Sequence, residues 1–124
     1  MSMQTRSQRV SRAAFPRVEA RKNGLNEKKF REYTTFAKKF PSLVHACGLA
    51  QAVAFAMAKQ ESDYLNDLCS TLTESGCAEL KTAEALRRAA SESALQQYVI
   101  LSRHTLRAAE WLKRYVEALG GDEE

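Results

Sequence analysis

The residue types that covalent chemistry requires are scattered along this chain rather than gathered. His45 lies in the most apolar stretch, where a general base would need a partner in a pocket and a hydrogen-bonded core histidine is the plainer reading. His104 stands between Arg103 and Thr105 at an exposed or semi-buried position. Asp63 and Asp67 share one helix face, but such a pair on an amphipathic helix reads as solvated surface. Cys47, Cys69 and Cys77 are odd in number and form no C-x-x-C pair. That argues against zinc and a disulfide framework and leaves them as small core residues. A phosphate-cradling glycine loop is lacking. The expectation is a protein that is not an enzyme, with no catalytic residue, metal, cofactor or small-molecule substrate.

What the sequence does offer is positive charge. Residues 1–40 hold eleven Lys and Arg against three Glu, a surplus of eight, whereas the remainder holds eight basic against twelve acidic residues. Such polarity suits a polyanion, either nucleic acid or an anionic membrane surface, and a solvated face is the bland alternative. Wound at about 100° per residue, Arg6, Arg9, Arg17 and Arg21 fall within about a third of the helix circumference, while Phe15 and Val18 point elsewhere. The expectation is a guanidinium stripe opposite a packing face, able to pair phosphates. Pro16 removes one hydrogen bond there and bends the axis. Phe30, Tyr33, Phe36 and Phe40 recur about once per turn, a core spacing rather than a base-stacking one. Contact with nucleic acid would therefore be to phosphate, insensitive to sequence and sensitive to salt.

These residues need elements to position them, and helices supply nearly all of them. Two prolines and five glycines interrupt 124 residues, and no alternating β-branched run makes a strand. A first helix is expected over about 4–22, closed by a left-handed Gly24. A second starts at the Asn26 cap and reaches about 39, where Pro41 sets a boundary. Residues 42–58 carry no charge and read as the central buried helix. They are too short and too rich in Ala for a membrane span, which needs ~20 strongly apolar residues. In that helix Gly48, Ala50 and Ala52 admit a close neighbour, and Gln51 meets a buried polar partner. A fourth helix runs from a Ser62 cap to Ser75-Gly76, and a fifth over about 82–90. The last and longest, over about 93–119, opens with a Ser93–Gln96 capping box. It carries two apolar stripes, one through Leu95, Val99, Leu106, Ala109, Leu112 and Val116, the other through Leu101, Ala108, Trp111, Tyr115 and Ala118. The second stripe is either packed by another helix or left as a docking surface. Trp111 anchors this helix. Lys113 and Arg114 after it read equally as contacts to phosphate or partner carboxylates and as solvated charges favoured by the helix dipole.

Three segments in order resemble one family, the small subunit of type III-B (Cmr-type) CRISPR effector complexes. They are Thr5-Arg6-Ser7-Gln8; Phe40-Pro41-Ser42-Leu43-Val44 leading into Gly48-Leu49-Ala50-Gln51-Ala52-Val53-Ala54-Phe55; and Leu106-Arg107-Ala108-Ala109-Glu110-Trp111-Leu112-Lys113-Arg114-Tyr115. Pro16 and His104 depart from the family pattern, and residues 59–90 match it poorly. The resemblance implies a compact helical bundle, present in several copies, stacking along a filament built by a backbone subunit around guide RNA. It implies a subunit that does not cut RNA but lines the path of guide (crRNA) and target.

The expectation is therefore an all-α single domain over residues 1–124, a compact bundle of five to six helices with frayed ends at 1–4 and 120–124. It would work in the cytoplasm, away from membranes, with the RNA backbone, the CRISPR backbone subunit and copies of itself as partners. Arg6, Arg9, Arg17, Arg21, Lys113 and Arg114 are the candidate phosphate contacts; Pro41, Gly48, Gln51 and Trp111 are structural. The alternative is a helical protein-interaction or homodimerisation module with no RNA role. Helix-turn-helix DNA binding fits poorly with an uncharged central helix.

Overall fold

A computed structural model describes residues 3–121, and every regular element among them is helical. The first helix, α1 (Arg6–Gly24), opens on a capping box: the Thr5 hydroxyl accepts from the Gln8 amide at 3.0 Å and the Gln8 side chain accepts from the Thr5 amide at 2.8 Å. It continues through Pro16, which is exposed. Its end differs from expectation. Gly24 is not left-handed; instead extended Leu25 closes the helix by donating its amide to the Arg21 carbonyl at 2.9 Å.

The second helix, α2 (Glu27–Ala58), starts as the sequence predicts, with the Asn26 side chain accepting from the Lys29 amide. Pro41 then fails to act as a boundary. Its ring costs the Ala37 carbonyl a partner, about 3 kcal/mol in a helix interior. Phe36, Phe40 and Val44, one turn apart on one buried face, outweigh that loss, at about 1.5–3 kcal/mol for each such side chain buried. The true break is Gly48, at φ 85° and ψ 163°, a region essentially reserved for glycine. At this break the Tyr98 hydroxyl of the last helix accepts from the Leu49 amide at 3.0 Å and, more weakly, from the Ala50 amide at 3.5 Å.

Beyond it come α3 (Ser62–Glu74), α4 (Ala83–Glu92) and α5 (Leu95–Val116), followed by a π-helical turn, Glu117–Gly121. Gly76 (φ 79°) lets the chain leave α3 as expected, and the Thr82 hydroxyl caps α4 by accepting from Ala85. Two other caps are corrected. Ser62 lies inside α3, with no side-chain cap before it. Ser93 closes α4 by donating its amide to Ala89, so α5 begins after Ala94 without a capping box. Gly120 and Gly121 belong to the π-helical turn, and Lys22 ties that turn to α1 through Nζ and the Leu119 carbonyl at 2.8 Å. The fraying expected at 1–2 and 122–124 lies outside the described residues.

All five helices contribute side chains to one core. Tyr33, Phe36 and Phe40 of α2 surround Tyr64 of α3, with ring centroids 5.3–6.1 Å from it. Both stripes of α5 are used in its C-terminal half. Ala109, Leu112 and Val116 are buried, and the second stripe is covered by α1, where Phe15 meets Tyr115 edge-on at 5.0 Å. Trp111 donates its Nε1–H to the Ser7 hydroxyl at 3.2 Å, and Tyr115 shares a 2.5 Å hydrogen bond with Ser11. The neutral stretch 42–58 is only half inside. Val44, Leu49, Ala52, Val53 and Ala56 are buried, whereas His45, Cys47 and Gln51 are exposed. His45 is thus not a core histidine, Cys47 is not a core cysteine, and Gln51 satisfies no buried partner.

Candidate nucleic-acid interface

The arginines of α1 do not form a free stripe. Val10, Ala13, Ala14 and Val18 define the buried face of this helix, and the arginines flank that face rather than oppose it. Arg21 reaches α3, where Nε donates to Asp67 Oδ2 at 2.9 Å, Nη2 donates to Oδ1 at 3.1 Å, and Nη1 lies 3.3 Å from Asp63 Oδ1. Arg17 lies 3.9 Å from Glu74, and Arg9 donates through Nε to the Ser75 carbonyl at 3.3 Å. A three-point seam results, fastening α1 along the length of α3. Arg21 is corrected from phosphate contact to structural anchor, because both edges of its planar fork are occupied by carboxylates. Arg9 and Arg17 are turned toward the same seam.

Asp67, far from being solvated surface, is 4% exposed. It accepts also from the Tyr33 hydroxyl at 2.5 Å. The carboxylate raises the Arg21 pKa through hydrogen bonding, against a smaller opposing effect of burial. Burial first, then the neighbouring Asp67 charge, pushes the Tyr33 phenol well above its ordinary range. This is a satisfied buried network; it commits the Arg21 fork to carboxylates, while Arg17 and the exposed Arg9 lean on the end of α3 more loosely.

The remaining candidates gather at the other edge of α1. Arg6 is exposed at its first position, next to Ser7, which binds Trp111. A cleft of about 760 Å³ opens between the start of α1, the middle of α2 and the end of α5. Arg107, Lys113 and Arg114 line it together with Glu110, Glu117 and His45. Residues 103, 107, 110, 114 and 117 recur at helical spacing on one side of α5. Arg6 and Arg107 also flank His104, whose pKa is lowered first by burial and then by these two charges. Reading the sequence does not single out Arg107, although its spacing of seven from Arg114 is an available signal. On α4 the basic residues are self-paired: Arg87 binds Glu84 with both edges at 2.9 and 2.6 Å, and Arg88 stands 3.6 Å from it.

No group of three or more His, Cys, Asp or Glu that could hold a metal ion occurs among the described residues. What the cleft can do is attract an anionic chain by two or three cations beside an indole edge.

Comparison with known proteins gives a consistent result. The family model described as "CRISPR-associated protein (Cas_Cmr5)" matches residues 6–119. A relative named "CRISPR system Cmr subunit Cmr5", from Thermus thermophilus, is 38% identical over 120 residues, covering 94% of this chain and 97% of the relative. The X-ray crystal structure of a CRISPR-associated Cmr5 family protein from the same organism superposes with a TM-score of 0.81 at 36% identity, covering 94% of this chain and 98% of that one.

Proposed function

The chain belongs to the Cmr5 family, the small subunit of type III-B CRISPR effector complexes, and from that premise we propose that it is a non-catalytic filament component whose cleft-side cations steady guide or target RNA. In this reading several copies stack beside the backbone subunit in the cytoplasm, each a single helical domain. The phosphate contacts are Arg6, Arg107, Lys113 and Arg114, while Arg9, Arg17 and Arg21 hold α1 on α3. The observation that supports it is the division of labour among the cations: one set is held by carboxylates and a carbonyl at α3, whereas Arg107, Lys113 and Arg114 line an open cleft and Arg6 stands exposed beside Ser7 at its edge. Glu110 and Glu117 in the same cleft keep the field moderate, which suits a shared path better than a tight individual site.

The test is charge reversal in the assembled complex. Arg107→Glu with Arg114→Glu should weaken RNA binding and lower the salt slope by roughly one for each phosphate pairing removed. Arg17→Glu should leave that slope alone and cost stability instead. Equal RNA affinity at several salt concentrations for the cleft variant would remove the cleft from the RNA path.

A further inference from the structure

Three of the five large apolar side chains exposed among the described residues lie within six positions at the start of α5: Leu95 at 77%, Val99 at 39% and Ile100 at 52%. They belong to a ten-residue run, 93–102, without a single charge, in a chain where 27% of residues are charged. The run is bracketed by exposed Glu92 before it and exposed Arg103 after it. Leu95, Gln96, Val99, Ile100 and Arg103 occupy the outward side of the helix, opposite buried Leu101, Thr105 and Ala108. The inward side is fixed in place by Tyr98, whose hydroxyl accepts from Leu49. This is a rigid apolar ridge, neutral along its middle and oppositely charged at its two ends.

We propose that two copies of the free chain pair across a two-fold axis at this ridge, with the α5 segments antiparallel and the axis passing between Gln97 and Tyr98. Leu95 of each copy then meets Ile100 of the other, and Gln96 meets Val99. The polarity selects this occupant. Glu92 closes α4 two residues ahead of the α5 N-cap, so an antiparallel second copy sets this acidic end beside the Arg103 end of its partner, whereas a parallel one sets acid on acid and base on base. A neutral centre adds no self-repulsion, the usual obstacle to an isologous contact. Because a two-fold pair closes on itself, it does not propagate. It is a state of the subunit outside the filament and does not rest on the RNA reading.

Sedimentation equilibrium of the full 13.9 kDa chain tests the proposal, run from micromolar to about 1 mM, the range in which a small interface associates. The expected result is a mass rising toward twice that of one chain. Ile100→Asp should weaken association by about tenfold or more. Glu92→Arg alone and Arg103→Glu alone should each weaken it too. Mixed in equal amounts, those two single variants should pair with one another, since one presents only basic ends and the other only acidic ends. A single-chain mass throughout the range overturns the proposal. So does association that ignores Ile100→Asp, or a mixture no more associated than its components.

Discussion

Arg21 and Asp67, 46 positions apart in sequence, form a two-pronged ion pair in which the carboxylate is nearly sealed from water and the guanidinium is partly open. Removing one partner leaves the other's charge desolvated and unpaired. Arg21→Ala and Asp67→Asn should each cost about 3 kcal/mol, the low end for breaking a buried pair, while Tyr33→Phe should cost about 1 kcal/mol for one hydrogen bond. Urea unfolding at neutral pH measures all three. The double variant should cost clearly less than the two single losses added together, and simple additivity would show that the pair is not a unit.

That pair also marks the boundary of what the sequence can tell. The long last helix, the aromatic core of α2 and the helical class are legible because each is a periodic local pattern. The fate of the α1 arginines is not, because Asp63, Asp67, Glu74 and the Ser75 carbonyl come from α3 and its C-cap, between 42 (63 − 21) and 66 residues further on. Part of it is nevertheless available. Winding Phe15 and Val18 alone puts the packing face away from the arginines, whereas Val10, Ala13 and Ala14 bring it alongside them. Such small residues carry weight because they are what allows helices to approach. Pro41 and Gly48 mislead together. A general rule about proline is outweighed by the buried Phe40 beside it, and a positive φ leaves no trace in a run of Ala and Leu.

Gly48 gives the second prediction. Any other residue must hold a glycine-only backbone, at about 1–3 kcal/mol, and its Cβ would stand 3.3 Å from the Tyr98 hydroxyl. Gly48→Ala should therefore destabilise by about 2 kcal/mol or more. Tyr98→Phe removes the acceptor of the Leu49 amide and should cost about 1–2 kcal/mol. Combining the two relieves the contact but not the backbone, so most of the glycine penalty should survive in thermal unfolding of the double variant. Full rescue would place the cost in the contact instead.

The three thiols should react in a fixed order. Burial pushes the Cys69 thiol up to about 11, so roughly one molecule in a thousand carries the thiolate at pH 8, and the side chain is sealed in the core. Cys47 is exposed and Cys77 half-buried. A disulfide reagent at pH 8 should label Cys47 first and Cys77 next, with Cys69 modified only on unfolding. Labelling of Cys69 at the rate of Cys47 in the native protein would contradict the packing of α3.

His104 lies outside the cleft but reports on Arg6 and Arg107 through its protonation. Its Nδ1 is buried without a hydrogen-bond partner, and burial, then Arg6 and Arg107, hold its pKa below the usual 6.5. The unfolded chain therefore takes up a proton near pH 6.5 while the folded chain does so only at lower pH. Between those two values the unfolded state binds more protons, so stability rises with pH through that window and is lost on acidification. His104→Gln should flatten this acid limb of urea midpoints measured between about pH 5 and 7.5. Arg6→Gln should move the imidazole resonance back toward an ordinary titration in NMR. If phosphates neutralise Arg6 and Arg107 as proposed, RNA binding should shift the same resonance in the same direction, because an anion beside the ring favours the imidazolium. An imidazole that titrates identically with and without RNA would leave Arg6 and Arg107 off the RNA path, whatever the affinity measurements on Lys113 and Arg114 show.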